Sequence, residues 1–131
     1  LRDAGQAQAS ATHFKEAITH YPDVRVLRYN WALSALAAQQ YEGLTAQIDT
    51  WIKRTPEDAQ LYELQAKAYA AVGDAVESHA ALGQAYVLWG LKEAAAAQWQ
   101  IALQQPQISD MRRQAIEAQK KALQAQVDFL E

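Results

Sequence analysis

Three side chains near the N-terminus have the types and the spacing of a metal site. Glu16 follows His13 by three residues and His20 follows it by seven, so on a helix all three fall on one face. Imidazole nitrogens and carboxylate oxygens are common ligands of zinc. A closed zinc site normally needs a fourth ligand, however, and the alternative is three polar side chains on an outer helix face. We predict this alternative, with no metal and no cofactor in this chain.

Other patterns of catalytic residues are missing from the sequence. It contains no His-Glu-x-x-His motif, no Gly-x-Ser-x-Gly nucleophile elbow and no glycine-rich phosphate loop. It also contains no cysteine, which excludes disulfides and thiolate metal ligands. We therefore predict that this chain is not an enzyme and has no catalytic residues.

Length and charge bound the class of protein. The 131 residues suffice for about one domain. Twelve Lys and Arg against fifteen Asp and Glu give a net charge of −3, which argues against nucleic acid as the partner. No apolar run approaches the ~18–20 residues of a membrane span, and the first residues do not resemble a secretory signal. Because the chain begins without Met and within a predicted helix, we expect a C-terminal fragment of a longer protein.

Two similar stretches, AYAAVG at 68–73 and AYVLWG at 85–90, lie seventeen positions apart. Pro22 and Pro56 are separated by twice that interval, and Gly90 follows Pro56 after the same double interval. The shorter interval fits a helix of about four turns plus a tight turn, and the longer one fits a helix pair. Five glycines and three prolines in the whole chain also favour helix throughout. The spacing therefore predicts tandem helix pairs.

The predicted helices follow from this punctuation. We expect a helix tail at 1–4 and helices at about 6–20, 24–38, 41–54, 57–72, 75–89, 92–105 and 109–130. Gly73 and Gly90 are expected just past helix ends, because glycine tolerates the left-handed conformation there. Thr55 is expected to cap a helix whose first residue is Pro56. Connections this short require antiparallel neighbours.

The repeated residues resemble the tetratricopeptide pattern, W-x2-L-G-x2-Y followed by Gly, Ala, Phe, Ala and a closing Pro. Its core is matched by Leu82-Gly83-x2-Tyr86, followed by Gly90, Ala95, Trp99 and Ala102. Leu44 and Trp51 stand where the family has small residues, so we expect looser packing in that repeat. The resemblance implies an all-α fold, a right-handed α-α superhelix (a TPR solenoid) with a C-terminal capping helix. Residues 1–131 would form one domain, with helix pairs at about 1–20, 24–54, 57–89 and 92–105 and a terminal helix at 109–130.

A second resemblance covers nearly the whole chain. The stretch from His79 through Trp89 into GLKEAAAAQWQIAL is similar to the C-terminal repeat region of BepA-like periplasmic zinc metalloproteases. The resemblance implies a periplasmic protein whose parent has a zinc-containing catalytic domain, a zinc metalloendopeptidase. This segment would then be its recognition arm in outer-membrane protein assembly or quality control. The implied partners are assembly machinery, substrate proteins or its own protease domain. The alternative is a free-standing TPR scaffold or co-chaperone with no protease domain.

Partner-binding residues follow from the repeat frame. The inner, concave face is expected to carry Tyr29, Leu33 and Leu36 on one helix and Glu63 and Lys67 on another, where a peptide segment could lie. The alternative is that these side chains are buried against the next helix. One set of aromatic residues has the packing spacing of the repeat and is predicted to lie in the core: Tyr62, Tyr69, Tyr86, Trp89 and Trp99. Tyr29, Trp31 and Trp51 lie off that spacing, so one or two of them could be exposed anchors.

The last predicted helix is basic along one side. Arg113 and Lys120 share that side with Glu117, and we predict a solvated face on a capping helix rather than docking to an acidic surface. A second stripe is expected to cover the open end of the solenoid: Met111, Ala115, Ala122, Leu123 and Leu130.

Overall fold

The computed structural model describes residues 4–130, which form seven α-helices and, within that range, no strand. The helices are α1 (Ala4–His20), α2 (Arg25–Ala37), α3 (Leu44–Arg54), α4 (Ala59–Ala71), α5 (Ala75–Leu88), α6 (Lys92–Leu103) and α7 (Asp110–Leu130). Turns of three to six residues connect them, lengths that are typical of antiparallel neighbours. The predicted all-α class is confirmed.

The repeated AYxxxG stretches end α4 and α5 with the same hydrogen-bonded turn. Gly73 and Gly90 have φ of 82° and 80°, in the left-handed region. The N–H that follows each glycine donates to a tyrosine carbonyl, from Asp74 to Tyr69 at 2.9 Å and from Leu91 to Tyr86 at 2.8 Å. This is the Schellman arrangement, and it satisfies carbonyls that a helix end would leave without donors. The predicted role of both glycines is confirmed.

A third copy of this turn ends α2 without a glycine. Gln39 has φ of 59°, and the Gln40 N–H donates to the Ala35 carbonyl at 2.9 Å. Gln39 precedes Gly73 by the same interval that separates Pro22 from Pro56, so the left-handed position recurs at the predicted repeat length. The turn geometry is therefore repeated even where the residue type is not.

The start of α4 corrects one prediction. Helix α4 begins at Ala59, and its cap is Asp58, whose carboxylate accepts from the Gln60 N–H at 3.2 Å. Thr55 instead follows α3, where its hydroxyl donates to the Trp51 carbonyl at 3.1 Å. Thr55 therefore completes the end of one helix, and the acid three residues later starts the next.

The predicted break at Gly5 is also wrong. Gly5 lies within α1, where a Cβ would meet nothing within 4 Å, and a helix tolerates such a glycine at a cost of about 1 kcal/mol. Residues 1–3 of the predicted helix tail lie outside the described residues.

Helix packing is uneven along the chain. Consecutive helices of the described chain pack closely, except for α2 and α3. Between these two stand Trp31 and Trp51, with ring centroids 5.6 Å apart and planes at 83°. Helix α2 also contacts α4, so it packs past its sequence neighbour. The looser packing predicted from the bulky Leu44 and Trp51 is present here.

Small residues allow α5 and α6 to approach closely. Gly83 of α5 and Ala95 of α6 are buried, and the Trp99 indole N–H donates to the Ala80 carbonyl at 3.1 Å. The absence of a side chain at residue 83 leaves the space that the indole occupies.

Buried apolar side chains form two clusters. The N-terminal cluster combines residues of α1 to α4, with Leu44, Ile48 and Leu64 at its centre. The C-terminal cluster combines residues of α5 to α7 with Ile108, and Ile116 is fully buried in it. The two clusters meet between α4 and α5, where the Ser78 hydroxyl donates to the Ala66 carbonyl at 2.8 Å.

Predictions about exposed and buried aromatic residues need correction. Trp89 is 44% exposed rather than in the core, because it caps the end of α5, where the chain turns away from the helix. Trp31 and Trp51 are buried and are not exposed anchors. Trp99 is buried as predicted. The three tyrosines predicted for the core are half-buried: Tyr62, Tyr69 and Tyr86.

Helix α7 buries a different stripe from the predicted one. Three of the five residues expected to cover the end of the solenoid are exposed: Met111, Ala115 and Ala122. Leu123 is buried as predicted, and Ile116, outside the predicted stripe, is buried with it. The Leu130 side chain lies outside the described residues. The helix is therefore rotated from the predicted orientation.

The basic side of α7 makes contacts with α6 rather than facing only solvent. The Lys120 ammonium donates to the Gln100 side chain at 2.5 Å, and the Arg113 guanidinium donates to the Leu103 carbonyl at 3.4 Å. Glu117 is exposed, as predicted. The two cations therefore help to hold the last helix against its neighbour.

Candidate functional site

The five residues predicted for the concave face lie on α2 and α4. Tyr29, Leu33 and Leu36 are half-buried and pack against the N-terminal cluster. On α4, Glu63 is half-buried and Lys67 is exposed. None of the five lines the groove described below. Their role in binding a partner stays a prediction.

The stretch weighed as a metal site does not form one. His13, Glu16 and His20 are exposed on α1, and the His13 ring packs edge-on against Phe14 with centroids 5.6 Å apart. Within the described residues no three His, Asp or Glu side chains converge closely enough to hold a metal ion. None of the helices there is long and apolar enough to cross a membrane.

The structure instead shows a polar groove of about 430 Å³ where α3, α4, α5 and α7 meet. We call it the polar groove. Its lining residues are Asp49, Ile52, Tyr62, Gln65, Tyr69, Glu77, Ala80, Ala81, Gln84, Arg112 and Gln119. Four helices contribute because the i, i+3, i+4 and i+7 positions of each present one face to the groove.

Gln65 forms the buried wall of this groove on α4. Its side-chain amide nitrogen donates to the Asp49 carboxylate at 2.6 Å and to the Thr45 carbonyl at 3.3 Å. These two acceptors fix the orientation of the amide, which directs its oxygen away from them. That oxygen is buried and has no hydrogen-bond partner within the described residues. An unpaired buried acceptor costs about 1–3 kcal/mol, so the bond from the amide nitrogen to Asp49 is made at the expense of the amide oxygen.

Burial and nearby negative charge raise the pKa of the two phenols that line the groove, Tyr62 and Tyr69. Burial, then the charges of Asp49 and Glu57, raises the pKa of Tyr62 above its usual 10.0. The pKa of Tyr69 is raised by burial first and then by Asp49, with Glu77 adding to the effect. Both phenols therefore stay protonated at neutral pH, when each can donate or accept a hydrogen bond.

An ion pair closes the far end of the groove. The Arg112 guanidinium of α7 binds the Glu77 carboxylate of α5 through two hydrogen bonds, at 2.5 and 2.9 Å. This pair raises the pKa of Arg112, so the guanidinium stays charged. Planar, bidentate pairs of this kind fix the orientation of both groups. Helix α7 is therefore held against α5 at the groove, and the charges of the pair cancel there.

These features suit non-covalent recognition. The groove is lined by a carboxylate at Asp49, which the Gln65 amide fixes, and by the phenols of Tyr62 and Tyr69. Ile52 and two alanines supply apolar surface between the polar groups. Such a mixture of apolar contacts with a few placed hydrogen-bonding groups is typical of ligand-binding clefts.

The sequence predictions missed this groove, although one signal for it was present. In the repeat skeleton, Gln65 stands at the position that Leu82 occupies in the next copy. A polar residue at a core position of a repeat indicates a special role, because a buried polar group needs hydrogen-bond partners. The partnership of Glu77 and Arg112, 35 residues apart, carried no comparable signal.

No family model and no curated protein matches this chain. Its likeness to tetratricopeptide repeats therefore depends on the residues quoted above, together with the recurring helix-end turn. The all-α fold and the polar groove are the structural basis on which a function can be proposed.

Proposed function

We propose that this chain is a protein-binding module of the tetratricopeptide type, whose polar groove holds a segment of another polypeptide. The observation that carries the proposal is the Asp49 carboxylate, which the Gln65 amide holds in a groove that two phenols and an apolar strip also line. A polypeptide supplies backbone and side-chain N–H donors at regular intervals. A rigid groove also loses little conformational entropy on binding, which favours affinity.

The repeat geometry supports the tetratricopeptide part of the proposal. The left-handed turn recurs at Gln39 and Gly73, one predicted repeat length apart, and again half a repeat later at Gly90. Helix α2 contacts α4 past α3, as expected where helix pairs stack along an axis. A right-handed superhelix with α7 as its capping helix is the arrangement that we propose.

The proposed parent is an envelope zinc metalloprotease, and this chain is its recognition arm in outer-membrane protein assembly or quality control. The resemblance of the stretch from His79 to Trp89 supports this context, including the periplasm and the zinc of the parent's catalytic domain. The alternative is a free-standing scaffold or co-chaperone. The two are separated by the parent sequence and its metal content: a His-Glu-x-x-His helix with bound zinc supports the first, and its absence supports the second.

Photo-crosslinking in cells tests the proposed groove. A photoreactive amino acid replaces Gln84 or Gln119 in the groove, Tyr29 or Lys67 on the predicted concave face, or Lys121 on the exposed side of α7. We expect adducts of the same partner from both groove positions and none from Lys121. Adducts from Tyr29 and Lys67 alone would move the binding surface to the concave face predicted from the sequence.

A second substitution makes the crosslinking specific. We expect Gln65→Leu to abolish the adducts formed from Gln84, because it removes the amide that holds the Asp49 carboxylate in place. Gln114→Leu, at an exposed position of α7, is the matched control and should leave them unchanged. Circular dichroism would verify that both variants keep their helix content. Adducts that persist in the folded Gln65→Leu variant would contradict the proposed role of the groove.

A further inference from the structure

A second concave site lies among α1, α2 and α3, away from the polar groove. It has a volume of about 190 Å³, and we call it the indole cleft. Its lining includes Lys15, Ile18, Pro22, Trp31, Trp51 and Arg54. The cleft exists because the bulky indoles of Trp31 and Trp51 keep α2 and α3 from close contact.

The wall of the indole cleft is apolar and rigid. Trp31 and Trp51 are buried and pack edge to face, and Ile18 and Pro22 complete the apolar surface. Only a small part of each indole reaches the cleft, but that part is held in place, so a ligand contacts it at little cost in entropy. A volume of this size accommodates a single aromatic or branched aliphatic group rather than a folded domain.

The charged side chains that line the cleft are both positive. They are Lys15 and Arg54, and no acidic side chain of the described residues lines it. Neither Lys15 nor Arg54 forms an ion pair with another residue of the range 4–130. The Lys15 ammonium stands 5.1 Å from the centroid of the Trp31 ring, a contact that orients the ammonium without neutralising it. Gln47 also lines the cleft and adds a side-chain amide donor.

Two further cations lie near the cleft, and Lys15 and Trp31 also line a neighbouring concavity with Glu16 and Glu42. The Arg28 guanidinium lies 5.4 Å from the Trp51 ring centroid. Its acidic partner, Asp23, is 3.4 Å away and almost fully exposed. Lys53 shares the last turn of α3 with Arg54, where cations favour the helix dipole, but it does not line the cleft. Lys53 therefore serves as a matched control for a general effect of charge.

We propose that the indole cleft binds a small carboxylate ligand with an aromatic or branched apolar body. The body lies against Trp31 and Trp51, and the carboxylate lies between the Lys15 ammonium and the Arg54 guanidinium. Ammonium and guanidinium donors form strong charge-assisted hydrogen bonds with carboxylates. The site lies apart from the polar groove and recognises a carboxylate rather than N–H donors.

The probe is 3-phenylpropionate, compared with the neutral 3-phenylpropanamide. Both are titrated into the isotopically labelled protein while the indole N–H signals are followed by NMR. We expect the acid to shift the Trp31 and Trp51 signals saturably and the amide to bind at least about tenfold more weakly. The signals of Trp89 and Trp99, near the end of α5 and on α6, should stay unchanged.

Substitutions assign the carboxylate to its two partners. We expect Lys15→Gln and Arg54→Gln each to weaken binding of the acid about three- to tenfold, and Lys53→Gln to leave it unchanged. Equal binding of the acid and the amide would overturn the proposal. So would a loss of binding in Lys53→Gln as large as in Arg54→Gln, which would indicate attraction by overall charge.

A peptide distinguishes the two sources of such a carboxylate. Acetyl-Gly-Gly-Leu is titrated with a free and with an amidated C-terminus. Tighter binding of the free peptide than of 3-phenylpropionate would identify a polypeptide C-terminus as the ligand source, and weaker binding would identify a small free acid. Either result requires the shifts at Trp31 and Trp51, and their absence with every carboxylate would overturn the proposal.

Discussion

Trp99 occupies the space that a side chain on Gly83 would take. A Cβ built on Gly83 would lie 2.3 Å from the Trp99 indole nitrogen and 2.5 Å from its Cδ1. The same indole nitrogen donates to the Ala80 carbonyl, so the ring is held by a hydrogen bond as well as by packing. The contact between α5 and α6 therefore depends on a missing methyl group.

Gly83→Ala should destabilise the protein by about 1–3 kcal/mol, because the buried indole must shift and strain its hydrogen bond. Urea unfolding followed by circular dichroism measures the loss. Gly5→Ala, in α1, is the matched control, since a Cβ added to Gly5 has no neighbouring atom within 4 Å. It should be neutral or stabilise by up to about 1 kcal/mol, through helix propensity. A Gly83→Ala variant as stable as the parent would contradict the close packing.

Gln39→Gly should stabilise the protein by about 1 kcal/mol. Gln39 has φ of 59°, a conformation that is costly for residues with a Cβ and free for glycine. Gly73→Ala is the reciprocal change at the equivalent turn, with φ of 82°, and should destabilise by a similar amount. Both changes are measured as shifts of the urea midpoint. The two variants should shift the urea midpoint in opposite directions. A loss of stability in Gln39→Gly would refute the equivalence of the turns.

The ion pair between Arg25 and Asp58 should make stability depend on pH in the acid range. Two hydrogen bonds from Arg25, at 2.6 and 2.7 Å, hold the pKa of Asp58 below its usual 3.8. A carboxyl whose folded pKa is depressed stabilises the protein above its unfolded pKa, and this contribution is lost as the pH falls through the folded pKa. Asp58→Asn should therefore cost about 1 kcal/mol at pH 7 and flatten the pH dependence below about pH 4.

Unfolding free energies at pH 7 and between about pH 2.5 and 4 test this prediction. Asp23→Asn is the control, because the Asp23 carboxylate is almost fully exposed and lies 3.4 Å from Arg28. Its stability should follow that of the parent at each pH. A parent and an Asp58→Asn variant with parallel pH profiles would show that the ion pair contributes nothing.

Asp49→Asn should lower the pKa of both groove phenols. The charge of Asp49 raises the pKa of Tyr62 and Tyr69, although burial is the larger cause for each. The substitution removes the charge but leaves both phenols buried. Both pKa values should therefore fall but stay above the usual 10.0. NMR of tyrosine labelled at Cζ follows each phenol across alkaline pH. Asp110→Asn is the control, because Asp110 is not a cause of either shift, and it should leave both pKa values unchanged. Unchanged pKa values of Tyr62 and Tyr69 in Asp49→Asn would contradict the effect of the Asp49 charge.

The ends of α4 and α5 were predicted from their glycines, whereas the end of α2 was predicted near residue 38 with no sign of the left-handed residue that forms it. Gly73 and Gly90 end helices as predicted, because a left-handed turn favours glycine. Gln39 adopts that turn without a sequence signal, and Gly5 stands within a helix where no turn is required.

The cap of α4 shows a second limit of the sequence. Asp58 caps the helix in place of Thr55, because either residue type can accept from a helix N-terminus. Contacts with Arg25, on another helix, hold the Asp58 carboxylate at this position. A choice that depends on a distant partner carries no local signal.

The candidate site was less predictable, because it depends on the rotation of each helix. Met111 was expected to be covered and is exposed, since α7 turns Ile116 inward instead, together with the predicted Leu123. That rotation also directs Arg112 to Glu77. Helical periodicity gives the spacing of a stripe, but the choice between overlapping stripes depends on the neighbouring helix.

The division of the core into two clusters gives the polar groove a role in cooperativity. Ile52 belongs to the groove and packs on the N-terminal cluster, whereas Ala80 belongs to the groove and to the C-terminal cluster. A polypeptide lying there would contact both halves at once, and its binding energy would oppose the opening of either. We expect hydrogen exchange of α3 and α7 to slow together when a partner is bound, since occupancy would join two folding units into one.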